Sequence, residues 1–307
     1  LFYVYNYIVS MHKKQSPFHN GDTLITVDTS YLIFHRFHAT LSYWNRQGKS
    51  HIENESLTDE FILMMKKKMY ETLNNLKREF KNSKFLFALD CPKKKIWRND
   101  FKNDYKANRT YKQGTGQAME IMINYIKQLY PEHIVSIDSV EADDIIAIST
   151  ITSNYPKILI ISGDNDFCQL INSKISLRKL EKTKTIEKEK PDNCLLIKII
   201  MGDKSDNIPP IKYGIGSKKA EMYATNPELL NELLSNDENV QKQFNLNKKL
   251  IDFTQIPENF KDNIMNNVSK IITYIPVESN AIGKESILKN QQCLDGWMIP
   301  KKTYKPR

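Results

Sequence analysis

Short apolar runs in this chain repeatedly end in aspartate. Residues 24–28 read LITVD, residues 84–90 read KFLFALD, and residues 157–162 (KILIIS) lead directly into Gly163 and Asp164. Residues 134–137 offer a further strand, and helical periodicity fills 31–41, 57–80, 117–130 and 142–152. Buried-type strands alternating with helices of this length predict an α/β chain built on a mostly parallel central sheet flanked by helices. In such sheets a site lies beyond the carboxyl ends of the strands. Asp28, Asp90 and Asp164 all fall there.

Further carboxylates accompany them: Glu141, Asp143 and Asp144 in VEADD, Asp166 in GDND, and Asp203 with Asp206 in GDKSDN. Two unit charges ~4 Å apart repel by ~4 kcal/mol at an effective dielectric of ~20. In a chain whose formal net charge is +9, so many acids aimed at one place call for divalent cations. Helix starts also favour acids through the helix dipole. Glu141 and Asp144 share a helix face at i,i+3, with Asp143 turned about 100° away. Capping needs one acid, and three point to ligation.

The 307 residues suffice for one large domain and a smaller one. An apolar share of 40%, with 13 Phe and 15 Tyr, excludes wholesale disorder. A sequence pI near 9.1 favours a polyanionic partner, nucleic acid before membrane. Cys91, Cys168, Cys194 and Cys293 show no paired spacing. They read as reduced thiols of an intracellular protein, with cytoplasm and nucleus both open, and not as a zinc site or disulfide frame. The opening LFYVYNYIVS is far short of the ~20 residues that span a bilayer and lacks a basic leader. Residue 1 is Leu, and Met11 is the expected start.

The densest basic stretch holds Lys93, Lys94, Lys95, Arg98, Lys102, Lys106, Arg109 and Lys112, interleaved with Trp97, Phe101, Tyr105 and Tyr111. Its three- and four-residue spacings predict a helix with a basic stripe and aromatic platforms, suited to single-stranded nucleic acid. A solvated charged helix is the ordinary alternative, made less favourable by the position directly after Asp90. In IKYGIGSKK (211–219), glycines let a backbone approach phosphate at a helix start. The six histidines are scattered and form no ligand set; His35 and His38 share a helix face and read as structural or DNA-facing. Ser30 and Ser162 have no evident general base. From Met201 the composition shifts toward a smaller helical domain, and beyond Asn259 the patterning is poor.

Taken in order, these segments resemble the 5′-nuclease/flap endonuclease family, in particular bacteriophage 5′-nucleases and the 5′-nuclease domain of bacterial DNA polymerase I. The resemblance is carried by VDTSYLIFHRFHA, FALD, IWRNDFKNDYKANR, VEADDIIA, ISGDNDFCQLI, GDKSDNIP and GIGSKKA, over about residues 24–225. It implies a PIN-like nuclease core over 23–200 with a helical arch at 91–118. A helix–three-turn–helix DNA-binding subdomain is expected over 201–259, with an N-terminal extension at 1–22 and a C-terminal tail at 260–307.

Matched position by position, the resemblance implies metal ligands at Asp28, Asp90, Glu141, Asp143, Asp144, Asp164, Asp166, Asp203 and Asp206. They would hold two Mg²⁺ ions, with Mn²⁺ as a substitute. Lys106 and Arg109 would hold the scissile phosphate. Arg98, Lys102, Tyr105, Arg36, Gly214, Gly216, Ser217, Lys218 and Lys219 would bind DNA, and a potassium ion is implied at the helix–three-turn–helix. Thr29 stands where a Gly usually follows the first Asp, the first-helix Arg falls at His35 with Arg36 next, Pro210 replaces a Gly, and Tyr213 is an extra residue before GIG. In the tail, Gln291, Leu294 and Trp297 resemble a sliding-clamp-binding box, with Met298 where a second aromatic is usual. The implied function is a monomeric two-metal 5′-3′ exonuclease or flap endonuclease of replication primer removal or repair, free-standing or a fragment. It would act on DNA with a 5′ flap, nick or recessed end, RNA primers included, with no membrane partner. A branched-DNA-binding scaffold with weak catalysis and an RNA-directed PIN-type nuclease are the rival readings.

Overall fold

A computed structural model describes residues 23–180 and 193–272. The 1–22 extension and the Gln291, Leu294, Trp297 box lie outside the described residues. The chain opens with β1 (Thr23–Asp28) and α1 (Thr29–Arg46). A small antiparallel hairpin, β2 (Ile52–Glu53) with β3 (Ser56–Leu57), leads into α2 (Asp59–Glu79). Then come β4 (Lys84–Leu89), α3 (Thr115–Leu129), β5 (Ile134–Ser136), α4 (Ala142–Thr152), β6 (Lys157–Ile161) and β7 (Ile175–Arg178). Helices complete the described chain: α5 (Cys194–Met201), α6 (Ser217–Thr225), α7 (Pro227–Asn236), α8 (Glu238–Ile251) and α9 (Glu258–Ile272). No described helix is long and apolar enough to cross a membrane.

The main sheet is parallel throughout, in the order β5-β4-β1-β6-β7. β1 is buried at every position, as a central strand covered on both faces must be. Alternation along the strands sends Ile25, Val27, Phe87, Leu159 and Ile161 to one face, where they join a core with residues of α1, α2 and α3. Helix α4 packs on β1 and β4 and contributes nothing to that core, so it covers the opposite face. Outside the basic stretch the expected strands and helices are present with small boundary shifts, while β7 and the short hairpin went unforeseen. The hairpin has only two residues per strand, and β7 (ISLR) is too short for a clear period.

The segment beyond Asn259 corrects the sequence reading. It continues as α9 through Ile272, burying Ile264 and Val268, a four-residue step hidden among polar neighbours. Helices α5 to α8 share an apolar cluster around Ile200, Ile211, Leu230 and Val240. A second cluster packs Ile199, Leu250 and Ile251 against Cys91, Ile96 and Tyr105, joining the helical region to the segment that follows β4.

Candidate active site

Since β4, β1 and β6 are neighbours, Asp28, Asp90 and Asp164 emerge side by side at one sheet edge. Asp28 accepts from the Tyr31 N–H at 2.9 Å, capping α1, and from the Ser162 hydroxyl at 2.8 Å. Asp90 ties two helix starts together, accepting from the Ala142 N–H at 2.8 Å and from the Ser30 hydroxyl at 2.5 Å. Asp164 accepts from the Asp166 N–H at 2.8 Å. Asp143 enters from the first turn of α4.

These acids strain one another electrostatically. Burial, with the charge of Asp90 beside it, pushes Asp28 up to about 7. Burial and the charges of Asp164, Asp28 and Asp90 hold Asp143 well above the usual carboxylate range. Asp164 is raised by burial despite the opposing pull of Lys198. None of Asp28, Asp90, Asp143 and Asp164 has an ion-pair partner among the described residues.

The remaining acids are neutralised by bases. Arg98, 2% exposed, donates to Glu141 at 2.6 Å and to Asp144 at 2.9 and 2.7 Å, and its Nε donates to the Leu250 carbonyl at 2.8 Å. Lys106 Nζ donates to Glu141 at 2.5 Å, and Arg109 to Asp206 at 2.5 Å. Tyr105 donates its hydroxyl proton to Asp206 at 3.1 Å. Lys198 bridges Asp166 and Asp203. Glu141 and Asp144 also close a capping box, the Glu141 N–H donating to Asp144 at 3.3 Å. In the VEADD motif, therefore, only Asp143 lacks an ion pair among the described residues.

Among the described residues no three His, Cys, Asp or Glu side chains meet at metal-bonding geometry. The donor chemistry nevertheless suits a hard divalent cation: every candidate ligand is a carboxylate oxygen, and burial together with neighbouring carboxylates disfavours the charged forms of Asp28, Asp143 and Asp164.

The basic stretch departs from its expected helix. Residues Lys93–Lys95 and Trp97–Asp100 are 3₁₀ turns, and turns carry the chain on to α3. Arg98, Lys106 and Arg109 serve distant acids instead, so the helical spacing has no surface stripe to build. Arg98 and Tyr105, expected at DNA, are buried ion-pair and hydrogen-bond partners of the acids. Lys106 is buried too, at a backbone φ of 56°, its N–H donating to the Asp206 carbonyl at 3.0 Å. Lys102 pairs with Asp104 at 2.5 Å. Arg36 turns away to α2, donating to Thr72 at 3.2 Å. In the glycine–lysine loop, Gly214 takes φ +80°, while Gly216, Ser217, Lys218 and Lys219 lie exposed at the start of α6. A side chain at Gly214 or Gly216 would meet no neighbour within 4 Å, so this backbone is open to approach.

A cleft of about 280 Å³ opens where the two groups meet, lined by Asp90, Glu141, Lys106 and Arg109, with Phe34 and Tyr111 among its apolar walls. Three contributors escaped the sequence reading. Ser30 and Ser162 orient Asp90 and Asp28 and needed no base to matter. Lys198 is a lone lysine in the apolar run CLLIKIIM, a signal that a buried counter-charge was required nearby.

The sequence model of the family described as "5′-3′ exonuclease, N-terminal resolvase-like domain" matches residues 23–195. The ribonuclease H of Enterobacteria phage T4 is 30% identical over 226 residues, covering 63% of this chain and 74% of that protein. A 5′-3′ exonuclease of Bacillus subtilis is 34% identical over 160 residues, 46% of this chain and 52% of its own; the chain thus spans about half of that relative. Among solved structures, the bacteriophage T5 D15 protein co-crystallised with metal ions superposes with a TM-score of 0.57 at 18% identity, covering 81% of this chain and 99% of that one. The T5 D15 flap endonuclease in a pseudo-enzyme-product complex with DNA and metal ions gives the same TM-score of 0.57, at 18% identity over 82% of this chain and all of that chain. At that identity the likeness establishes the fold.

Proposed function

Because the chain belongs to the 5′-3′ exonuclease family, we propose that it hydrolyses DNA phosphodiesters at 5′ ends in a structure-specific, cation-dependent reaction. The observation that carries this reading is the cleft in which Asp90 and Glu141 face Lys106 and Arg109. Carboxylates and cationic donors around one opening suit a phosphate approached together with divalent ions. Asp28, Asp90, Asp143 and Asp164 would hold the metals; Glu141, Asp166, Asp203 and Asp206 would join them only by leaving their bases, and Asp144, wholly buried on Arg98, stays an internal ion-pair partner instead of the ligand the resemblance implies. Two ions of the magnesium class, when bound, supply water activation and stabilisation of the leaving oxygen.

The chain's own residues do the rest. Arg109, the more exposed of the two bases at 36% of its side chain, meets the scissile phosphate first. Lys106 reaches it by exchanging Glu141 for a phosphate oxygen, and both neutralise charge that grows as the phosphodiester breaks. Ser30 and Ser162 keep Asp90 and Asp28 aimed while this happens. The exposed Gly214–Lys219 backbone and lysines grip the duplex, and a potassium ion there would follow the family pattern. A monomer acting inside the cell on flaps, nicks or recessed ends, with the Gln291, Leu294 and Trp297 box on a sliding clamp, completes the reading. The phage relative's ribonuclease H name supports RNA-terminated 5′ ends among the substrates.

A labelled 5′-tailed duplex incubated with Mg²⁺ or with EDTA tests this. Cleavage to 5′-phosphorylated products in Mg²⁺ alone, lost in Asp90→Ala, is expected. Binding without cutting under both conditions would mark a branched-DNA scaffold instead.

A further inference from the structure

Beside the cleft, residues 104–109 are hooked to residues 203–208, and the hooks are reciprocal. The Asn108 side-chain amide donates to the Lys204 carbonyl at 2.6 Å, across 96 residues of chain. The Asn207 side-chain amide returns the gesture, donating to the Asp104 carbonyl at 3.0 Å and to the Asp104 carboxylate at 2.8 Å. Lys102 holds the other oxygen of that carboxylate at 2.5 Å. Between the two hooks the Lys106 N–H donates to the Asp206 carbonyl at 3.0 Å. Each half is also closed on itself. Asp203 and Ile208 exchange backbone bonds of 2.9 and 2.8 Å, and the Ala107 N–H donates to the Asp104 carbonyl at 3.0 Å.

Both halves carry a residue in the left-handed region, Lys106 at φ 56° and Asn207 at φ 62°. Asparagine enters that region readily, whereas lysine does so at a cost. Such a conformation persists where its surroundings over-determine it. For Lys106 those surroundings are the hooks at Asp104 and Asn108, on either side of it, and its own N–H bond. Neither asparagine lines the cleft, and the side-chain bonds of both go to Lys204 and Asp104, which are not among the candidate ligands. Asn108 is exposed and Asn207 half-buried, so their bonds replace bonds to water and add little to folding. What they set is register: they fix the backbone from which Lys106 reaches Glu141 and Arg109 reaches Asp206.

We propose that Asn108 and Asn207 are positioning residues, a two-amide clasp that keeps Lys106 and Arg109 aligned with the carboxylate site while phosphate is bound and cut. This rests on the nuclease reading above and adds a requirement to it. The 104–109 segment stays docked during the reaction, and only the side chains of Lys106 and Arg109 change partners.

Asn207→Gly deletes one amide and leaves a residue at ease with a positive φ; Asn108→Ala deletes the other. With the 5′-tailed duplex and Mg²⁺, each should slow single-turnover cleavage by between about tenfold and 10²-fold, the scale of a misplacement of about 1 Å. Duplex affinity in EDTA should change far less. The decisive measurement is coupling to Lys106. Since the clasp acts through that side chain, each substitution should slow cleavage by a smaller factor in Lys106→Ala than in wild type. A purely structural role would give the same factor in both backgrounds. Equal factors, or wild-type rates in both single variants, would overturn the clasp.

Hydrogen exchange of the protein in EDTA reads the same clasp without any cutting. Both variants should speed exchange at the Lys106 and Ile208 amides and leave β1 as in wild type. Unchanged exchange at those two amides, or faster exchange throughout β1 as well, would overturn a positioning role. Wild-type protein that does not cut would remove the nuclease reading, whereas cutting by wild type with unaltered variants removes the clasp alone.

Discussion

Replacing Arg98 by methionine removes the cation that holds two buried acids. Its guanidinium makes hydrogen bonds of 2.6, 2.9 and 2.7 Å to Glu141 and Asp144 and one of 2.8 Å to the Leu250 carbonyl. It also lies 4.4 Å from the Trp97 ring centroid. In Arg98→Met, Glu141 keeps Lys106 at 2.5 Å, whereas Asp144, wholly buried, keeps only the Trp97 indole N–H at 2.9 Å as a side-chain donor and its capping bond to the Glu141 N–H. Breaking a buried pair from one side costs about 3–5 kcal/mol, because the other charge stays behind. We therefore expect Arg98→Met to destabilise the protein by about 4 kcal/mol, a large share of a typical stability of about 5–15 kcal/mol. Urea titration followed by tryptophan fluorescence and far-UV circular dichroism measures it. Adding Asp144→Asn should recover most of the loss, since the stranded charge is then gone. A loss under about 1 kcal/mol, or no recovery in the double variant, would refute the reasoning that Arg98 is an internal counter-ion.

Lys106→Ala should lower the cleavage rate by about 10²–10³-fold, as for loss of one transition-state donor, while duplex affinity changes far less; the opposite order, read by single-turnover kinetics beside anisotropy, would remove Lys106 from the chemistry. Asp28 binds its proton more tightly folded, near 7, than unfolded, near 3.9. Its contribution in metal-free protein is therefore fully present below about pH 4 and lost as pH rises toward 7. Thermal melts in EDTA should show this loss, flattened in Asp28→Asn; an identical slope in that variant would count against the assignment. Gly202→Ala should cost about 1–3 kcal/mol, because at φ +71° its Cβ would lie 2.4 Å from the Pro209 carbonyl oxygen. Gly214→Ala, at φ +80° but with open space, should cost less; equal melting shifts would show that the contact is immaterial.

The acids divide by how they could be read. Asp28, Asp90 and Asp164 were legible because a strand end and the residue after it are local features, and adjacent parallel strands carry such ends to one edge. Asp143 was legible as part of a motif, but its difference from Glu141 and Asp144 was not. That difference depends on Arg98 and Lys106, 43 and 35 residues away from Glu141. The same distance problem misdirected the basic stretch. Its periodicity was real, yet Arg98, Tyr105 and Lys106 are drawn inward by carboxylates, and their burial leaves no surface helix.

Sequence alone determined the parallel α/β architecture, the strand ends at which the candidate site lies and the family, since side-chain period, strand-end chemistry and motif order are written along the chain. Only the tertiary structure decided which acids lack an ion pair among the described residues and which bases are already taken. It also set the Phe34 ring of α1 against Tyr111, with centroids 5.5 Å apart. Those outcomes depend on partners as far apart as Arg98 and Leu250, separated by 152 residues. The energy of a buried charge is set by what surrounds it in space, whatever stands beside it in the chain.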